Sequence, residues 1–388
     1  MVNMNSILLT NSPIGYNVLW KKEDTVKDAQ IRTLSGGSVV SLNLLEVLRE
    51  VSDVKMILGG QHFTDAKYEG IPAHCIKPEQ FRYDCLFFSD YFAKALVQAN
   101  VAPSTSVDLV LSYAGPWSDT FEYLKREHKS KIIADFAPHR VDLSMEEHLK
   151  FHNEYPYSHY QKGFLFDMLM KFCKVNDALV VHSKSSAEYL KSIIDLKREP
   201  FVIPHGTYIP SSIPPYPTEF TPGYMGSMGA DKGINYLVCA IASTTPAMKL
   251  VIGGKESSNF GISDPRFKDR FQVLGAIGEL CDFYEKVSVF VGPSITEGFG
   301  ICGLEAMAHG RPIITTNGTG LVDLIQDGKE GFTVPIRDPL AIKEKLEWFR
   351  DNPSEVVRMG REARNTAERY SWKIVKSMYV KLIKEVME

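Results

Sequence analysis

Residues 287–316 read VSVFVGPSITEGFGICGLEAMAHGRPIITT. VSVFV is a short, continuously apolar run, as expected for a strand buried on both faces, and GPS is its exit loop. TEGFGICG carries too many glycines for a helix interior. LEAMAH is a good helix former, and Gly310 followed by Arg311-Pro312 stops it. PIITT then opens a second buried strand. Strand, loop, helix and strand in this order make a βαβ unit of a parallel sheet. The order also places Glu297 and the amides of Gly298, Phe299 and Gly300 where a strand ends and a helix begins. Free N–H groups and the helix dipole there favour an anion such as a phosphate. Glu297 is repelled by such an anion, so its role is a different one, such as accepting hydrogen bonds from sugar hydroxyls. Glu305 is placed to reach a second hydroxyl pair.

Similar apolar runs recur outward from this unit. They are SILLT (6–10), VKMIL (54–58), VDLVLS (107–112), KIIA (131–134), ALVVH (178–182) and FVIP (201–204), then MKLVI (248–252), FQVL (271–274) and FTVP (332–335). Helix-like segments alternate with them, and Ser185 and Glu188 in SKSSAEYL have capping-box spacing. Seven of the 21 prolines fall between Pro200 and Pro222, a stretch that cannot continue a helix or an inner strand. The expected architecture is α/β, with two Rossmann-like, doubly wound domains facing each other across a cleft. Residues 1–205 form the N-terminal domain, 206–222 a proline-rich linker, 223–369 the C-terminal domain, and 370–388 a final amphipathic helix able to cross back to the first domain. Ligands of such domains bind at the carboxyl ends of the strands.

At 388 residues two domains are the natural expectation, and 44% hydrophobic with 23% charged residues is ordinary for a globular enzyme. A net charge of −3 builds no global positive field, so no nucleic-acid partner is expected. The six cysteines show no CxxC and no short metal-ligand spacing, which suits a reducing compartment. The first residues, MVNMNSILLTNSP, lack the basic region and long apolar core of a signal peptide. No run approaches the ~20 apolar residues that span a bilayer. A cytoplasmic location is expected, with attachment at a membrane surface left open. The oligomeric state is open as well.

PSITEGFGICGLEAMAHGRPIITTNGTGLVDLIQDGKEGFTV resembles the donor-binding core of the family 4 retaining glycosyltransferases, which have the two-domain GT-B fold. Pro293, Ser294, Glu297, Gly298 to Gly300, Glu305 to Ala308, Gly310 and Pro312 carry the match. Upstream, PGYMGSMGADKGINYLVCAI is similar to the family's strand and K-G helix start, with Gly226 and Lys232 in place. Ser227 stands where the family usually has an arginine, and Asp323 where it usually has a glutamate. LSGGSVVSLNLLEVLRE resembles the first glycine-rich loop, with Gly36 and Gly37. KIIADFAPHR resembles the strand that ends in a His-Asp pair near the donor sugar. Asp135 matches the aspartate, Ala134 replaces the histidine, and His139 is offered as its substitute. In FVIPHGTY, His205 takes the place of the family's asparagine.

The resemblance implies a retaining transfer of a sugar from a nucleotide-sugar donor to an acceptor that the sequence does not identify. Lys232 and Glu297 carry the catalytic roles. Gly36, Gly37, Gly226, Ser227, Gly275, Gly298, Phe299, Gly300, Ile301 and Glu305 bind the donor, and Asp135 and His139 are sugar contacts of the N-terminal domain. The backbone near Leu274 and Ile277 lies against the base. No D-x-D occurs in the chain, so no metal and no other cofactor is expected. The alternatives are a weakened GT-B module that binds a nucleotide sugar or a partner, motivated by Ser227 and Ala134, and a GT-B sugar-nucleotide epimerase. His148 and His152 stand four apart as helical metal ligands do, but an exposed polar helix accounts for them. GFLFDMLMKFCK (163–174) is expected in a core, with a lipid-facing role as the minority reading.

Overall fold

The computed structural model describes residues 4–10, 36–59, 66–68, 71–75, 97–98, 101, 104–113, 118–138, 140–152, 170–254, 262 and 269–388. Two sheets organise them. The first contains β1 (Asn5–Thr10), β2 (Asp53–Gly59), β3 (Ala66–Tyr68), β4 (Ile71–Cys75), β5 (Leu109–Tyr113), β6 (Lys131–Asp135), β7 (Ala178–Val181) and β8 (Phe201–Val202), in the order β3-β4-β2-β1-β5-β6-β7-β8. All its pairings are parallel except β3 with β4. The second contains β9 (Pro222–Met225), β10 (Leu250–Gly253), β11 (Phe271–Gly275), β12 (Val289–Gly292), β13 (Ile313–Thr316) and β14 (Gly331–Val334), in the order β11-β10-β9-β12-β13-β14 and parallel throughout.

Each sheet is covered on both faces, which is why its strands read as unbroken apolar runs. In β1, Ile7 and Leu9 enter one core cluster while Leu8 enters another. In β12, Val289 and Val291 face one cluster and Phe290 the other. This alternation is the period of two of an extended chain. In both sheets the chain starts near the middle, winds to one edge, returns and winds to the other. The reversals fall between β1 and β5 and between β9 and β12. Crevices at such reversals are where doubly wound sheets bind ligands.

Two short strands at the edge, β3 and β4, were not signalled by hydrophobic runs. AKY and IPAHC are short and mixed, and Pro72 suits the limited pairing of a sheet's margin. The proline-rich stretch is no free tether. Arg311 is fully buried and donates to the carbonyls of Pro214, Pro215 and Tyr284, with its guanidinium 4.2 Å from the ring centre of Tyr216. Arg364 donates to the carbonyls of Pro210 and Ala308. Five planar donors on one buried side chain thus pin the stretch to the second sheet's half. The final helix, Trp372–Met387, sits in the first half: Trp372, Val375, Tyr379, Leu382 and Ile383 share a cluster with Leu8, Leu44 and Leu48. Among the described residues no helix is long and apolar enough to cross a membrane.

Candidate active site

Between the halves lies a cavity of about 230 Å³ at the carboxyl end of β12. Its C-terminal wall is Asp231, Lys232 and the loop Thr296–Ile301, and its N-terminal wall is Tyr113, Ala137 and His205. Lys232 ends the single turn Ala230–Lys232, and Gly233 follows with φ 66°. A Cβ at Gly233 would lie 2.0 Å from the carbonyl oxygen of Pro293, so only glycine lets these two segments meet. The meeting is stitched by Ile295 N–H donating to the Asp231 carbonyl at 2.8 Å. Glu297 is held through its backbone by Gly318 and Gly320, at 3.0 and 3.1 Å.

The two charged side chains face each other. Lys232 Nζ is 3.1 Å from Glu297 Oε1, and Ser294 Oγ donates to Oε2 at 3.0 Å. Burial alone would lower the lysine's pKa, but the charges of Glu297 and Asp231 outweigh it and the pKa is raised. Lys232 is therefore a fixed cation beside the start of the helix Ile301–Ala308, whose N-terminal residues Gly300 and Ile301 line the cavity. A cation and a helix N-terminus at one point make an anion site. Glu305 stands just over one turn along that helix, where burial pushes its carboxyl up to about 7.

The loop is pressed against the N-terminal half. Gly298 offers its carbonyl to Ser183 Oγ at 2.9 Å and to Ser186 Oγ at 3.0 Å. Arg140 N–H donates to Thr296 Oγ1 at 2.7 Å, and Lys184 N–H to Asp323 at 2.6 Å. A Cβ on Gly320 would lie 2.5 Å from Ser183, so the close approach needs that glycine.

The remaining expected site residues are placed as follows. Gly226 and Ser227 follow β9, with the Ser227 carbonyl accepting from Tyr224 at 2.6 Å, and Gly275 ends β11 in the left-handed region at φ 71°. None of the three lines the cavity, and neither does Glu305. Gly36 and Gly37 open the helix Gly36–Val51 that follows β1. His139, and the side chains of His148 and His152, lie outside the described residues. Asp135 differs from the expectation of a sugar contact. It is fully buried at the end of β6, where it accepts from Tyr379 and lies 2.8 Å from His182 Nε2, so its carboxylate is spent inside the fold. The cavity instead shows Tyr113 and His205 on that wall: Tyr113 ends β5 and carries no local motif, and His205 follows β8 in the stretch where it replaces the family's asparagine. Among the described residues no group of three or more His, Cys, Asp or Glu side chains is placed to hold a metal ion.

Residues 219–352 match the family model of the glycosyl transferases group 1. That match lies wholly within the second half of the chain. The group 1 glycosyl transferase region holds Lys232, Glu297 and Glu305, and the chain as a whole has the GT-B arrangement of two Rossmann-like domains. Over 180 residues the chain is 36% identical to the capsular polysaccharide biosynthesis glycosyltransferase CapM of Staphylococcus aureus, a match spanning 43% of this chain and 47% of CapM. An uncharacterized glycosyltransferase of Methanocaldococcus jannaschii is 26% identical over 345 residues, 86% of this chain and 90% of that one. In fold, the chain superposes on sucrose-phosphate synthase from Thermosynechococcus elongatus with TM-score 0.76 at 18% identity, covering 99% of both. It superposes on Anabaena HepE in complex with UDP-glucose with TM-score 0.72 at 12% identity, covering 99% of this chain and all of that one.

Proposed function

We propose that the protein is a retaining glycosyltransferase that moves a sugar from a nucleotide-sugar donor, bound in the interdomain cavity, to an acceptor hydroxyl. The observation that carries this reading is the Lys232–Glu297 pair at the reversal point of the second sheet, facing the other domain at 3.1 Å from each other. A nucleoside diphosphate leaving group develops negative charge as the glycosidic bond breaks. Lys232 and the amides at the head of the helix Ile301–Ala308 lie where that charge would be stabilised, already oriented. Glu297, tied to Lys232 and Ser294, serves as a hydrogen-bond acceptor for sugar hydroxyls and not as a free nucleophile. Glu305 takes the ribose hydroxyls. Retention then follows from attack on the face the diphosphate leaves, with the departing phosphate accepting the acceptor's proton. The UDP-glucose bound by HepE makes uridine nucleotides the first donors to try.

The positive charge this chemistry needs is supplied by Lys232 and backbone amides, so turnover is proposed to need no metal. The test is a thermal-shift screen against UDP-, GDP- and ADP-sugars, followed by the rate of donor hydrolysis and transfer. Glu297→Ala is expected to lower turnover at least about 100-fold with an unchanged far-UV spectrum. Turnover in that variant within a fewfold of wild type rejects the assignment. Complete and reversible loss of activity in a chelator rejects metal independence.

A further inference from the structure

Beneath the N-terminal wall runs a chain of buried polar side chains that the transfer chemistry does not use. His205 stacks on His182 with ring centres 3.5 Å apart and planes 27° from parallel. His182 Nδ1 lies 2.9 Å from the carbonyl oxygen of Ile203, and its Nε2 lies 2.8 Å from Asp135 Oδ1. The other oxygen of Asp135 accepts from the hydroxyl of Tyr379, which belongs to the final helix. Exposures along the chain are 3% for His205, 0% for His182 and Asp135, and 2% for Tyr379. His205 alone of the four lines the cavity, where the ring of Phe299 meets it edge-on at 5.5 Å.

Burying four polar groups costs stability that apolar residues of the same volume would not. What the arrangement provides is orientation. His182 lies between two acceptors, the Ile203 carbonyl and Asp135, and a neutral imidazole donates to only one of them; that bond and full burial hold the ring in place. The stacked ring of His205 is set with it. Burial first, and then the neighbouring His182, hold the His205 pKa well below its ordinary value. His205 is therefore neutral, and one ring nitrogen is an acceptor of the kind a sugar hydroxyl needs.

We propose that His205 contacts the sugar being transferred, and that Tyr379, Asp135 and His182 are positioning residues that hold its ring. The final helix thereby sets the geometry of a cavity that none of its residues lines. This inference rests on the glycosyltransferase reading above.

The experiment uses the full chain and the nucleotide sugar that stabilises it most among UDP-, GDP- and ADP-glucose, with the matching nucleoside diphosphate as control. His205→Ala is expected to leave nucleoside diphosphate affinity within about twofold, and to cut both the extra affinity due to the sugar and the rate of donor hydrolysis about tenfold. His205→Asn keeps an acceptor and recovers most of both. Tyr379→Phe lowers hydrolysis about threefold in the wild-type background and not at all in the His205→Ala background, whereas the two changes add in melting temperature. Wild-type sugar affinity and hydrolysis in His205→Ala overturn the contact. Additive effects of the two changes on rate overturn the positioning role. If no nucleotide sugar stabilises the wild type, the glycosyltransferase reading fails and this inference with it; if one does and His205→Ala is silent, this inference alone fails.

Discussion

A carboxyl group pushed up to about 7 by burial, as Glu305 is, opposes folding whenever it is ionised. Its ordinary value is 4.5, so the folded state keeps the proton over a window in which the unfolded chain has already released it. Stability from this residue is therefore unaffected below about pH 4, falls as pH rises from about 4.5 to 7, and is reduced in full above that. Glu305→Gln removes the ionisation and should stabilise the protein by about 1–3 kcal/mol at about pH 8, with no gain at about pH 4. Melting temperatures across that range check the sign, and a gain that is flat with pH would contradict it. The same variant should bind nucleoside diphosphate less tightly, since a carboxylate accepts from two ribose hydroxyls where an amide oxygen offers one acceptor. Stability gained and binding lost together are the signature of a side chain kept for its ligand. Lys232 differs in kind. Glu297 already compensates its charge, so the cavity holds no unmatched ion.

At the scale of elements, the helix Lys184–Ile193 shows what spacing alone misjudges. Its sequence offers Ser185 and Glu188 as a capping box, yet Ser183 is the cap, accepting from the Ser186 N–H at 3.1 Å. Ser183 also donates to Gly298 across the cavity's rim, so one hydroxyl ends a helix and docks a loop 115 residues away. Ser183→Ala should lower stability by about 1–2 kcal/mol, while Ser185→Ala stays within about 0.5 kcal/mol. Thermal melts of the two variants decide between the caps; equal losses would sink the assignment. The same contrast explains what could be read from the sequence. Runs such as Ile7–Leu9 and Val289–Val291 are apolar because both faces of each strand are covered, and a buried strand announces itself in its own residues. The loop around Glu297 was legible because glycines, helix start and carboxylate all fall within one short stretch. Tyr113 and Ser183 were not, because each becomes a site residue only through contacts between distant segments, and His205 was visible only as a departure from the family's asparagine. Asp135 differs for a related reason: the hydroxyl it accepts from belongs to Tyr379, 244 residues further on. Mixed, short β3 and β4 carry no unbroken apolar run of the kind that makes the inner strands visible.

Across the whole molecule, the helix Val141–His152 joins the halves. It lies between β6 and β7 of the first sheet, yet Leu143 packs on the core of the second half. Glu147 is fully buried there, accepting from Tyr236 at 3.0 Å and from Arg337, which also pairs with Glu146 at 2.9 Å. Lys150 donates to Tyr236 at 2.9 Å from the same helix. Arg337 itself sits at φ 61°, a conformation that costs a non-glycine residue about 1 kcal/mol or more. That local strain is tolerated where it aims the guanidinium at Glu147. Because Arg311 and Arg364 pin the proline-rich stretch to the second half, opening of the cleft has to break contacts of this helix and of Ser183 with Gly298. Arg337→Ala removes the guanidinium paired with the buried Glu147 and leaves it the Tyr236 hydroxyl, with Lys150 beyond that hydroxyl, a loss that typically costs several kcal/mol. Swinging the helix away from the second half returns that carboxylate to water, so the cheaper outcome is an open cleft. The variant should show a larger radius of gyration than wild type in solution scattering. A donor that binds both walls, as proposed, should at saturation bring it back while its apparent affinity falls by the fraction of closed molecules lost. Identical scattering curves for Arg337→Ala and wild type would show that the clasp does not hold the two domains together.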